Sequence, residues 1–350
     1  MPGLYVNSKE QFVNKVSHPK HRDSNIELLR IASMLMIVIY HFLINSIAPN
    51  YPDYNHIVKP AITVTHLGVI CFLLISGYWG IRFSLKGFTK LFLYCSFYSI
   101  LIYIAGVILN PELFTVKDSL RSLIPSHWWF VPVYLALYLI APIINIPIAS
   151  ASRKSKILLI AILAIVSFLF GEFLPALKEG KNPINFMLIY YIGNFIRTEA
   201  FLPKNFDFKR AVILYLSFNT LLFTAIMIAL LNSELLGKAM FHCCFTYNSP
   251  GLIINAVLFF LIFTHIEFKS RLVNWIAASS FAVYLLHENK YLGSYLFDFL
   301  SQMQNNIHSP LLVALSVIIT GIAVFAAAII IDKLISPLLY WIIRQITDTA

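Results

Sequence analysis

The sequence predicts an all-α polytopic membrane protein of about ten transmembrane helices with both termini in the cytoplasm. Three observations carry this. The 350 residues are 59% hydrophobic and only 12% charged, outside the range of soluble domains. The apolar residues gather into runs near the ~20 residues that a helix needs to cross a ~30 Å hydrocarbon core. Lys and Arg crowd into alternate connections between those runs.

The first 25 residues are polar and form a tail. No small-residue cleavage site follows the first apolar run, so that helix is expected to be retained rather than removed as a signal peptide. The runs follow in order: Ile26 to Ile47, Pro60 to Gly80, Phe88 to Leu109, His127 to Ile148, Ile157 to Leu174, Pro183 to Phe201, Ala211 to Leu231, Tyr247 to Glu267, Val273 to Tyr295, and Pro310 to Ile343. The last is long enough to tilt, bend or leave the membrane, and Asp332, Lys333 and Pro337 suggest where. Residues 26–344 thus make one membrane domain between a tail at 1–25 and a tail at 345–350.

With the N-terminus inside, eighteen Lys and Arg fall in cytoplasmic segments and seven in outer loops, which sets the orientation. The formal net charge of +10 is accordingly a property of loops, and a nucleic-acid partner is not expected. Four cysteines, Cys71, Cys95, Cys243 and Cys244, show no zinc or disulfide spacing, and no metal is expected.

An ionisable residue inside a membrane helix costs about 2.5–3.5 kcal/mol on insertion scales, so each is a functional candidate. The first run carries Glu27, Arg30 and His41. At ~100° per residue, Arg30 and His41 fall within about 20° of one face, ~16 Å apart along the axis. Glu27 shares that face and suits an interfacial ion pair with Arg30. His66, His127, His287 and Glu288 all fall in the outer half of the membrane or at its outer surface. No two histidines have HxxxH or HExxH spacing, so an acid/base site is expected rather than a metal one, with His41 as general base. On the cytoplasmic side Arg82, Lys86 and Lys90 recur every four residues. This is either simple loop charge or a dock for a phosphate-rich cofactor. On the outer side His127, Trp128 and Trp129 are either an interfacial belt or stacking surfaces for sugar rings.

These residues resemble the acyltransferase-3 family of bacterial integral-membrane O-acyltransferases. NIELLRIASMLMIVIYHF at Asn25 to Phe42 looks like the family's first helix, an arginine followed after ten residues by a histidine. CFLLISGYWG at Cys71 to Gly80, HWWFVPVYLALYLIAPIIN at His127 to Asn145 and SSFAVYLLHEN at Ser279 to Asn289 are similar to three further family segments, in the expected order. The resemblance implies transfer of an acetyl group from cytoplasmic acetyl-CoA to a hydroxyl of a polysaccharide or lipid-linked glycan, in the bacterial plasma membrane. It implies His41 as the catalytic histidine, with Arg30 as its first-helix partner. His287 is the expected helper at the catalytic centre, with Ser279 and Tyr284 as further helpers. Arg30, Arg82, Lys86 and Lys90 are expected on the coenzyme, and His127, Trp128, Trp129 and Glu288 on the acceptor. The family's paired-arginine motif after the second helix is absent here, and no C-terminal extracytoplasmic domain is expected. The competing class is a glycan or lipid-linked sugar transporter, against which stands the absence of a detectable repeat.

Overall fold

A computed structural model describes residues 23–304, 307 and 309–348. The expected tail residues 1–22, with Lys9, Lys15, Lys20 and Arg22, lie outside the described residues. The described chain is helical and, among those residues, contains no strand.

The elements are α1 Ser24–Phe42, α2 Asn55–Thr65, α3 Gly68–Trp79, α4 Leu85–Leu109, α5 Val116–Ser122, α6 Phe130–Ser150, α7 Arg153–Phe173, α8 Pro183–Thr198, α9 Phe208–Asn232, α10 Glu234–Phe245, α11 Pro250–Thr264, α12 Arg271–Ala277, α13 Ser280–His287, α14 Gly293–Gln304 and α15 Pro310–Asp348. Helix starts follow local capping chemistry. Ser84, Thr115, Ser152, Asn182, Asp207, Ser233 and Ser270 each accept a hydrogen bond from a backbone N–H in the first turn of the helix they open, satisfying donors that have no partner within the helix.

Of the ten expected runs, seven helices among the described residues are long and apolar enough to cross a membrane, or eight when α10 and α11, bent by 48°, count as one broken span. The run at 183–201 is the short α8 of 16 residues. The run at 273–295 is not one helix: it breaks between α12 and α13 and ends at His287, where Asn289 Oδ1 accepts the N–H groups of Tyr291 and Leu292. Such a side-chain turn competes with helix continuation. The second run begins earlier than expected and is interrupted at His66 and Leu67, between α2 and α3. The final run does not end at Pro337, which lies inside the helix. It continues as α15 to Asp348, so much of the expected C-terminal tail is helical.

The helix α1 is central, packing against α3, α11, α12, α13 and α15. A close crossing joins α3 to α8. There a Cβ on Gly77 would run into the Tyr190 carbonyl, and one on Gly193 into that of Leu74. Small residues let membrane helix backbones approach this closely. Asp332, buried in α15, accepts hydrogen bonds from the Tyr94 and Tyr98 hydroxyls of α4 at 2.9 and 2.7 Å, which ties the two helices together.

Candidate functional site

Helix α1 brings Arg30, Met34, Ile37 and His41 to one face, at i, i+4, i+7 and i+11. They border three successive levels of the interior. At the lowest level Arg30 donates to Glu27 Oε1 at 2.9 Å, the ion pair anticipated from the sequence. Arg30 also lines a cavity of about 250 Å³ with Ser76, Tyr134, Ser280, Phe72, Phe130 and Phe281. Above it Met34 and Ile37 border a smaller apolar void of about 30 Å³, walled by the same three phenylalanines and by Tyr284. His41 follows one turn further on, just before the helix widens into a π turn at Leu43–Ile47. Irregular turns of this kind often accompany functional positions.

His41 meets two consecutive residues, His287 and Glu288. Neighbours in a continuous helix point about 100° apart. Here α13 ends at His287, and Glu288 leaves helical geometry (φ −104°, ψ 81°), so both side chains converge. His41 Nδ1 lies 2.9 Å from His287 Nε2 and 3.3 Å from Glu288 Oε2. The second approach lacks hydrogen-bond geometry, and Glu288 Oε2 is buried without a hydrogen-bond partner. His287 Nδ1 sits 2.6 Å from the Val283 carbonyl, which can only accept, so this nitrogen carries the proton. With both rings neutral, His287 Nε2 is then an acceptor and His41 Nδ1 the donor to it. The basic lone pair of His41 is thereby placed on Nε2. The two histidines expected at one centre are therefore in contact, and Glu288, expected on the acceptor, stands beside the imidazole pair.

Around this cluster is an aromatic cage that the sequence reading did not assign. Tyr40 stacks on His66 at 4.1 Å, and Phe245 and Tyr247 flank the same imidazole. His66 Nδ1 donates to the Phe245 carbonyl, leaving Nε2 buried without a partner. The only early signal was the position of His66 in the outer half of its run. Tyr247 also packs on Trp129, over whose ring Lys181 Nζ sits 5.6 Å away. Lys181 pairs with Glu179 at 2.8 Å, and this contact holds the Glu179 carboxyl below its usual pKa. The loop carrying both is fixed by Asn185, which donates to the Gly180 and Tyr247 carbonyls.

The expected aromatic trio separates. Trp128 is buried in the core and presents no free ring face, whereas Trp129 is only half-buried. His127 lies before α6 rather than opening it, edge-on to Tyr291. Burial lowers its pKa. No contact joins it to the His41 cluster among the described residues. Ser279 and Tyr284, expected helpers, both have buried hydroxyls without partners, and Tyr284 borders the small void.

At the opposite end the three basic residues do not form one helical face. Gly80 takes φ +77°, a left-handed conformation that glycine adopts without penalty, and the chain runs extended to the Ser84 cap. Arg82 therefore precedes α4, while Lys86 and Lys90 lie on it. Asn145 and the Tyr190 hydroxyl hold this turn through Ile81. Arg82 lines a cavity of about 430 Å³ with Trp79, Lys156, Asn194 and Arg197. Lys156 is paired with Glu199 at 2.6 Å, and Arg197 lies over the Trp79 and Tyr78 rings at 4.6 and 5.6 Å. Arg197 and Trp79 were not assigned from the sequence.

The fold and site define a polytopic all-α membrane protein whose central helix carries a cation at one level and an imidazole, backed by a second imidazole and a carboxyl, at another. Residues 23–332 match the acyltransferase domain of the acyltransferase-3 family, and the chain belongs to that family: it is a membrane acyltransferase. No curated protein and no solved structure matches it.

Proposed function

We propose that the protein moves an acetyl group from cytoplasmic acetyl-CoA to a hydroxyl of a cell-surface or lipid-linked glycan, working in the bacterial plasma membrane. The observation that carries this reading is the file of α1 side chains from Arg30 to His41, bordered by cavities at successive levels. A long, thin donor suits such a path. Its nucleotide phosphates would pair with the cations of the basic cavity, Arg82 and Arg197, and its adenine would stack beside Trp79. Its flexible arm would pass Arg30 and the phenylalanines to bring the thioester to His41. Lys86 and Lys90, outside that cavity's lining, would attract the donor rather than grip it.

At the far end a sugar hydroxyl attacks the thioester carbonyl. His41 Nε2 takes the hydroxyl proton as the carbon–oxygen bond forms, and the imidazolium is oriented by His287. The Tyr284 hydroxyl, buried without an acceptor, is placed to donate to the oxyanion that develops. Collapse expels the coenzyme thiolate, which takes the proton back from His41. Trp129, with Glu179 and Lys181 beside it, supplies the stacking face and polar groups that a glycan needs at the mouth.

Sealed vesicles test the reading. Acetyl-labelled acetyl-CoA is supplied on the face carrying Arg82, and glycan acceptor on the face carrying Trp129. Label should pass to the glycan while free CoA stays where it began. Arg82→Ala with Arg197→Ala should raise the KM for acetyl-CoA more than it lowers kcat. Movement of glycan across the membrane with the coenzyme unchanged would instead make the protein a carrier.

A further inference from the structure

We propose that His41, His287 and Glu288 form a binding site for one divalent transition-metal ion of the zinc class, and that the bound ion switches the transferase off. The ligand atoms, one from each residue, all lie within 4.8 Å of one another. Two of their separations are 2.9 and 3.3 Å. Donors around a tetrahedral zinc ion with bonds of ~2.0–2.1 Å stand about 3.3 Å apart, so small side-chain rotations suffice.

Three further features favour the ion. His287 already has the outer-shell partner that metal-bound histidines use: its Nδ1–H donates to the Val283 carbonyl, which turns the Nε2 lone pair toward the cluster. Glu288 Oε2 is a buried carboxyl oxygen without a hydrogen-bond partner, and a cation would satisfy it. Two imidazoles and one carboxyl form a donor set used by zinc, with one position left for water. The neighbouring Lys181 is paired with Glu179, so the cation does not face a bare lysine.

The consequence for catalysis follows from the tautomer. In the free cluster His41 carries its proton on Nδ1 and its lone pair on Nε2. Coordination takes the Nδ1 lone pair, so the same proton moves to Nε2, and no proton is gained or lost by the ring. The atom that must accept the hydroxyl proton is then already protonated. This second half rests on the reading of His41 Nε2 as the base, whereas metal binding rests on geometry alone.

Cobalt titration of the purified full-length protein tests binding without an activity assay, through the visible absorption of a four-coordinate cobalt site, with zinc as competitor. One saturating equivalent is expected. Glu288→Gln and His287→Gln should each weaken binding about tenfold or more, each variant being checked for native elution. Cys243→Ser with Cys244→Ser should change nothing, although Cys243 is exposed. Absence of saturable binding, or binding lost with the cysteines and kept in Glu288→Gln, would overturn the site. Zinc should inhibit transfer over the concentration range in which it displaces cobalt, with chelator restoring activity. Binding as described with unaltered transfer would leave the site standing and refute the switch along with the base assignment. Activity that requires the metal would refute the inhibitory role.

Discussion

Two parts of the molecule are equally apolar and differ in almost every other respect. The spans at Ser24–Asn50 and Pro52–Trp79 bury half and two-thirds of their most apolar stretch inside the protein, whereas the span at Arg153–Gly171, no less apolar, buries about one-ninth of it. Lipid accepts an apolar side chain as readily as a protein core does, so hydropathy marks both as membrane helices and cannot say which is central. What distinguishes the first pair is its exceptions. These spans hold Glu27, Arg30, His41 and His66, together with glycines at backbone contacts, and each exception is met by a partner or a cavity. On α7 the ionisable residues are confined to the ends, as with Lys156 against Glu199, and only Ser167 makes a polar contact further in. Polar interruptions, rather than apolar content, locate the working part of this membrane protein.

The sharpest way to break that contrast is at His41. Replacing it with Gln keeps the size of the side chain and removes the proposed proton acceptor. A positioned general base is worth ~10²–10⁴-fold, so kcat should fall by that range while the protein still inserts and elutes as wild type. Acetylated product at the normal rate and matched protein level would place the chemistry elsewhere.

How much of this was legible beforehand follows the same division. Features confined to one helix could be read from spacing: the alignment of Arg30 with His41, the Glu27–Arg30 pair, and most apolar runs. Features made by two or more helices could not. His287 and Glu288 are neighbours in sequence, and only the end of α13 makes them converge on His41, 246 residues away from His287. Their ring-to-ring contact leaves no repeat or motif spacing behind. Likewise Arg197 reaches the Arg82 cavity because α8 crosses α3 closely, a crossing permitted by two glycines that are unremarkable in the sequence. The four-residue recurrence of Arg82, Lys86 and Lys90 misled because Gly80 and the Ser84 cap start the helix after Arg82.

That crossing supplies the next largest effect. Gly77→Ala puts a methyl against the Tyr190 backbone, where no flexible side chain can yield. Overpacking of this kind costs about 1–3 kcal/mol, and the variant should melt earlier in detergent by fluorescence-detected size exclusion. The matched control is Leu158→Ala on the exposed face of α7, expected within about 0.5 kcal/mol of wild type. Equal losses from the two would mean that the inner and outer helices are not distinguished by packing.

A smaller effect is expected at His287. In His287→Gln the hydrogen bond that holds the proton on His41 Nδ1 is weakened but the ring of His41 remains. Loss of one such bond is worth about 1–1.5 kcal/mol, or roughly tenfold in kcat. The pH–rate profile should shift as well, because the tautomer of His41 is no longer fixed. A uniform drop with an unchanged profile would assign His287 to packing.

The smallest effect belongs to the ion pair between Lys290 and Asp118, 3.0 Å apart, which joins the connection after α13 to α5. The hydrogen bond from Lys290 is the main cause that lowers the Asp118 pKa below its usual value. A carboxyl depressed on folding adds stability above its unfolded pKa, near 4, and that contribution disappears as the pH falls through the folded value. Lowering the pH from 6 should therefore leave this contribution in place down to the ordinary carboxylate range and remove it only below that. The lysine is exposed and the carboxyl partly so, and the pair is screened by salt. Lys290→Ala should thus alter the melting temperature only marginally at neutral pH, and less still at high salt. A large loss, persisting in high salt, would show that this outer connection positions Glu288 through Lys290, and the contrast between a built interior and a passive periphery would have to be redrawn to include it.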